Sequence, residues 1–156
     1  MPIIDPAKEP FPSFGEIVTR TTYGSSGEVK QALTDLRDIG NFVARIIADK
    51  RTLNRYVLVH SEEHTQNEIF ALAKRVSGKD ITIKTQNAEY LTKLADESDG
   101  LHQILFQYIH SMFVRGDNTV ENAKKEEYGN ALDAKALYPD IEVTSLEAYA
   151  AEYYKD

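Results

Sequence analysis

The chain has 156 residues and a net charge of −7, with 42% hydrophobic residues, 28% charged residues and no cysteine. Length and composition allow one globular domain with a core of its own. The acidic balance disfavours nucleic acid and anionic membrane surfaces as partners, and the lack of cysteine excludes disulfides and thiolate chemistry.

The opening stretch MPIIDPAKEP has neither the basic nor the apolar region of a signal peptide, and no apolar run approaches a membrane span. A cytoplasmic protein is expected. Four of the five prolines, Pro2, Pro6, Pro10 and Pro12, fall within the first twelve residues. Each fixes φ and lacks an N–H, so residues 1–15 are assigned to an extended arm and residues 16–156 to a single domain. EIVTRTTYG (16–24) is rich in β-branched residues and predicts a strand, ended by the turn material GSSG.

TDLRDIGNFVARIIADK (34–50) places Leu36, Ile39, Val43, Ile46 and Ile47 on one helical stripe, with Thr34 or Asp35 as N-cap. RYVLVH (55–60) is a short apolar run suited to a buried strand. TQNEIFALAKRVSGK opens with a capping box, Thr65 to Glu68, and stops at Gly78; its stripe is Ile69, Leu72, Ala73 and Val76. ITIKT (81–85) alternates as a strand and AEYLTKLADES (88–98) reads as a short helix. LHQILFQYIHSMFVRG (101–116) is an apolar helix that ends at a glycine. A polar loop (116–132) follows, then a last helix with a second capping box, Thr144 to Glu147. About five helices around a small sheet of three short strands make an α+β, or fragmentary α/β, layout.

The missing motifs narrow the chemistry. There is no Gly-x-Gly-x-x-Gly, no Gly-x-x-x-x-Gly-Lys-Ser/Thr, no Tyr-x-x-x-Lys dyad and no Gly-x-Ser-x-Gly elbow. No cofactor is therefore expected on this chain, NADPH included. His60, Glu62, Glu63 and His64 are metal-ligand types within five residues, but they straddle a strand end and a loop, so a loop is the reading and no metal is assigned. His110 differs. Its helical neighbours are Phe106, Gln107, Phe113 and Val114, a setting suited to a general acid/base as well as to a half-buried structural histidine. Tyr108 is the second candidate donor. The two are two residues apart, so they project about 160° apart and cannot both sit at the centre of one pocket wall; one is expected to face the pocket and the other the core or a partner chain.

Several stretches together, ALTDLRDIGNFVARIIADKRTLNRYV, TQNEIFALAKRVSGK, HSMFVRGDNT and ALYPDIEVTSLEAY, resemble the C-terminal half of the NmrA-like, isoflavone-reductase-like proteins, fungal members in particular. These are atypical extended short-chain dehydrogenases that reduce phenolic and other secondary metabolites with NADPH. The resemblance runs from about residue 16 to the end. The family's glycine-rich loop and catalytic lysine belong to an N-terminal Rossmann half that has no counterpart in these residues. The resemblance implies that the helix around QYIHSMFVRG walls a substrate cleft. His110 and Tyr108 would then be catalytic, with Phe106, Met112 and Phe113 lining an aromatic or polycyclic substrate. It also implies apolar surface and strand edges that self-association into a homodimer would cover. Three functions fit: a cofactor-independent cyclase, isomerase or dehydratase; the substrate-binding half of an NAD(P)H-dependent reductase; and a non-catalytic regulatory binding protein.

Overall fold

The computed structural model describes residues 21–24, 26–80 and 82–154. The arm assigned to residues 1–15, and the first part of the strand expected over 16–24, lie outside the described residues. In chain order the elements are β1 (Thr21–Tyr23), β2 (Lys30–Leu33), α1 (Leu36–Ile46), β3 (Val57–Leu58), β4 (Glu62–Thr65), α2 (Gln66–Ser77), β5 (Lys84–Gln86), α3 (Ala88–Glu97), α4 (Gly100–His110), α5 (Val120–Ala123), β6 (Leu132–Asp133), α6 (Ala134–Leu137) and α7 (Leu146–Tyr153). The class is mixed helix and strand, α+β. Among the described residues its strands pair two by two, β1 with β5, β2 with β4 and β3 with β6, rather than in the single three-stranded sheet that periodicity predicts. Periodicity misses β2 (KQAL) and β4 (EEHT) because both are poor in β-branched and aromatic residues.

The chain divides into two compact units, Met1–Gln31 with Thr65–Gly116 and Ala32–His64 with Asp117–Asp156. In the first, β1 runs parallel to β5 with Thr22 opposite Thr85. A strand pair this short leaves backbone groups to satisfy, and a buried glutamine supplies them. Gln66 accepts from Tyr23 N at 2.9 Å and donates to Thr21 O at 2.9 Å, as a further strand would. Gln66 is the first residue of α2, which the predicted capping box starts. Thr65 Oγ1 accepts from Glu68 N, and the Glu68 carboxylate accepts from Thr65 N. Gly78 ends the helix with φ 65°, as predicted. The core joins Tyr23 to Leu91, Ala95, Leu105, Phe106, Ile109 and Phe113. Tyr23 stacks on Phe113 with centroids 6.2 Å apart, and burial pushes its phenol up to about 12.

The second unit packs Phe42, Ala134 and Tyr138 at its centre, with Ile46, Val57, Val59, Leu137, Ile141 and Val143 around them. β3 runs parallel to β6, Val57 opposite Leu132. Asp35, not Thr34, caps α1, accepting from Arg37 N at 2.8 Å. Thr34 Oγ1 donates instead to Val59 O at 3.1 Å. The buried residues of α1 are Asp38 and Phe42, and of the stripe read from the sequence only Ile46 packs against the core. Leu36, Ile39, Val43 and Ile47 are all exposed. The inner face is instead chosen by a buried carboxylate. Asp38 accepts from Ser61 Oγ (3.1 Å), Thr144 N (2.7 Å) and Thr144 Oγ1 (3.2 Å), tying α1 to the turn after β3 and to the segment before α7. Thr144 is thereby taken from the capping box predicted with Glu147. Ser145 is the N-cap, accepting from Ala148 N at 3.1 Å.

Two more carboxylates serve backbone N–H groups in this unit. Glu62 accepts from Leu146 N at 2.7 Å, and Asp133 caps α6 through Lys135 N at 3.0 Å. Burial alone would raise both carboxyls. Leu146 N–H and His64 outweigh it at Glu62, and Lys124 with His60 outweighs it at Asp133, so both titrate below the ordinary carboxylate value. A depressed carboxyl contributes stability above its unfolded pKa and loses it as pH falls through the folded one. Unfolding followed by circular dichroism should therefore show no loss from these two groups near neutrality and a decline only in acid, and Asp133→Asn should flatten that decline. Asp38→Ala leaves three donors without an acceptor and should cost about 3 kcal/mol by urea denaturation. A cost below about 0.5 kcal/mol would mean that water replaces the carboxylate.

Candidate functional site in helix 100–115

α4 continues into a single π turn, Ser111–Arg115, which Gly116 closes at φ 71° by donating to Ser111 O. Such turns insert one residue into a helix and recur at functional sites. Two neighbours in the same unit clasp this one. Gln31, fully buried, donates from Nε2 to Met112 O, a backbone acceptor in the π turn. Its Oε1 has no donor among the described residues, at a cost of about 1–3 kcal/mol. Gly24, at φ +78°, lies so close that a Cβ there would stand 2.9 Å from Phe113 O.

The helix has two faces of opposite character. Leu105, Phe106, Ile109 and Phe113 are buried in the core of the unit. Leu101, Ile104 and Tyr108, spaced i, i+3, i+7, form an apolar face that solvent reaches, with Tyr108 61% exposed. His110 is half-buried at the last residue of α4, and Met112 packs partly against the core. The helix thus divides the five residues singled out in the sequence: Tyr108 on the open face, Phe106 and Phe113 in the core, His110 and Met112 between. Periodicity marked the helix but not which apolar row stays open, because both rows are equally greasy. Tyr23, Gly24 and Gln31, which support it from behind, had no signal beyond the β-branched run RTTYG.

Phe106→Ala should cost about 3–5 kcal/mol of stability, whereas Tyr108→Ala should stay within about 0.5 kcal/mol. Chemical denaturation of the two variants checks both values, and a large loss at Tyr108 would mean that its face is packed.

The residues of HSEEH do not converge on one point, and Glu62 and His64 pair with each other. His60 Nε2 meets Asp133 at 3.2 Å, Glu62 meets His64 at 3.1 Å, and Glu63 accepts from Val120 N at 2.8 Å. Among the described residues no group of three or more histidine or carboxylate side chains is placed to hold a metal ion. A cleft of about 380 Å³ in the first unit, lined by Thr22, Asn67, Phe70, Lys74, Ile83 and Thr85, contains none of the residues singled out in the sequence. No helix among the described residues is long and apolar enough to cross a membrane.

This mixed α+β chain, with its open helical face, belongs to the NmrA-like family, which matches residues 8–150. It is 34% identical over 139 residues to asnovolin J 5',6'-dehydrogenase of Aspergillus novofumigatus and 30% identical over 129 residues to isoflavone reductase of Medicago sativa. Those alignments take in 81% of this chain but 41% and 39% of the relatives, so the chain spans about two-fifths of their length. Among solved structures it resembles isoflavone reductase, with TM-score 0.73, 28% identity, and coverage of 85% of this chain and 42% of that one. It shares its fold with a leucoanthocyanidin reductase–NADPH complex from Vitis vinifera, with TM-score 0.75, 22% identity, and coverage of 87% and 46%.

Among the described residues, no glycine-rich turn forms a phosphate cradle of the kind NADPH needs. The sequence has no phosphate-cradling glycine motif. The glycines after β1 are packed rather than open: a Cβ at Gly27 would stand 2.6 Å from Asn67 Oδ1, and one at Gly24 would meet Phe113 O. What the site offers is an apolar surface with a phenol and an imidazole near it.

Proposed function

We propose that residues 1–156 are the substrate-binding portion of an isoflavone-reductase-like oxidoreductase of secondary metabolism, acting on a phenolic or polycyclic compound. The alignment carries this reading: most of the chain follows proteins named as reductases and a dehydrogenase, over about two-fifths of their length. Those names describe redox chemistry, which favours this reading over a cofactor-independent cyclase, isomerase or dehydratase.

The geometry suggests how the chain would contribute. Leu101, Ile104 and Tyr108 present an exposed apolar surface with a phenol on it, suited to packing an aromatic ring and hydrogen-bonding its oxygen. His110 is assigned to proton transfer, since neutral imidazole can take a proton from a phenol or enol near neutral pH. Phe106 and Phe113 hold this wall from the core side, and Met112 supplies an adaptable edge.

Amide NMR titrations of the chain with an isoflavone and, separately, with NADPH test the reading. The isoflavone should shift resonances over 101–112, with affinity falling roughly 3–10-fold in Tyr108→Ala, while NADPH should leave the spectrum unchanged. Micromolar NADPH binding by this chain, or isoflavone shifts confined to other elements, would overturn it. Conversion of a phenolic compound by the chain alone, lost about 10²–10⁴-fold in His110→Ala, would favour the cofactor-independent reading instead.

A further inference from the structure

The first unit carries a buried polar side chain that its apolar core does not need. Gln31 is fully buried, and its Nε2 donates to Lys30 O at 2.9 Å and to Met112 O. Its Oε1 has no donor among the described residues, so a methionine of similar length would fill this space without an orphaned atom. The acceptor explains the choice. In an α-helix the Gly116 N–H would bond Met112 O, four residues back, whereas in the π turn it bonds Ser111 O, five back. The wider register therefore adds Met112 O to the carbonyls left over at the helix end, and that is the carbonyl Gln31 takes. An uncommon helix register and a half-satisfied glutamine meet on one peptide group, two residues after His110. Local features that cost stability cluster at functional sites, where the surrounding structure holds them.

Resting on the reading proposed above, we propose that Gln31 is a positioning residue of the phenolic-substrate site, holding the π register that sets Met112 and His110 at the margin of the Tyr108 face. Being fully buried, it acts through the backbone it holds. Gly24 and Tyr23 anchor the turn at Phe113, the one by close approach to Phe113 O and the other by stacking on the ring. Gln31 does something different: it occupies the carbonyl to which the Gly116 N–H would otherwise return. With Phe113 anchored and the amide removed, a return to the α register falls on the residues that join α4 to Phe113, namely His110, Ser111 and Met112. One residue of register corresponds to about 100° around a helix axis, enough to carry a side chain from the margin of a face to its centre or into the core.

Gln31→Met keeps the length of the side chain and removes the amide. In the isotope-labelled 156-residue chain, the NMR coupling of Gly116 N across its hydrogen bond identifies the acceptor, and an isoflavone titration reports the site. In the wild-type chain the coupling should fall on the Ser111 carbonyl carbon. In Gln31→Met it should move to the Met112 carbonyl carbon, with isoflavone affinity falling roughly 3–10-fold, the worth of one ordinary hydrogen bond. Tm should stay within about 3 °C, because the Met112 carbonyl regains a donor and the orphaned Oε1 is gone. A merely structural glutamine would give the reverse, a lower Tm with unchanged affinity, and that result overturns the proposal. So does a loss of affinity while Gly116 still bonds Ser111 O. If the variant does not fold, hydrogen exchange of the wild-type Gly116 amide decides. Isoflavone at about 100 times its Kd should slow that exchange at least roughly 10-fold, and an unchanged rate overturns the link between turn and site. A wild-type chain that binds no isoflavone overturns the functional reading and the proposal with it. Wild-type binding that Gln31→Met retains in full overturns the role of Gln31 alone.

Discussion

Very short parallel strands leave most of their backbone groups without a strand partner, and this constraint orders both units. A ladder of two or three residues cannot satisfy its own edges, so side chains act as neighbours. In the first unit the Gln66 amide bonds Thr21 O and Tyr23 N together, which fixes the start of α2 beside β1. In the second, Asp133 lies in β6 and caps α6, while Glu62 in β4 receives the first N–H of α7. Because the same side chain closes a strand and opens a helix, strand pairing and helix placement are one event. The desolvation cost of each buried polar group is offset only when all its bonds form together.

What was legible in the sequence follows from this. Elements that announce themselves through periodicity or caps were readable: α2 between its capping box and Gly78, α3, and the long helix ending near Gly116. The parts held by polar side chains were not. KQAL and EEHT are strands because of where their neighbours lie, not because of β propensity. Thr144 looked like a cap, yet a buried carboxylate from a residue 106 positions away claims it. The apolar stripe of α1, Ile46 apart, points away from the core because hydrophobic spacing identifies a surface that wants cover without saying what covers it. The same ambiguity governs the candidate site: two apolar rows run along 101–113, and only the packing of Leu105, Phe106 and Ile109 against Leu91 and Tyr23 leaves Tyr108 in the open.

The π turn fits the same scheme. An extra residue in a helix shifts its hydrogen-bond register, and such a shift persists where surrounding groups hold it. Here Gln31 takes the Met112 carbonyl and Gly24 packs against the Phe113 carbonyl. Widening the helix just after His110 changes where the following side chains point, so Phe113 can reach Tyr23 while Met112 stays at the margin. The helix that carries Tyr108 and His110 is therefore positioned by residues on β1, on its following turn and on β2.

Each of the two principal amphipathic helices separates the work of folding from the work of recognition. In α4 the buried aromatic residues account for stability, and the Leu101–Ile104–Tyr108 row can vary with little effect on it. In α1, Phe42 and Asp38 face inward, and the row Leu36, Ile39, Val43 and Ile47 is exposed among the described residues. Apolar side chains held open in this way cost solubility and gain nothing from folding, so their retention on a rigid helix is best understood through what they meet after folding. For α4 the chemistry of the row, a phenol among aliphatic groups, suits an aromatic small molecule. For α1 the row is purely aliphatic and spans the whole helix. It has no polar atom to orient a small ligand, so the phenol of the α4 row sets that row apart as the one that can form a hydrogen bond.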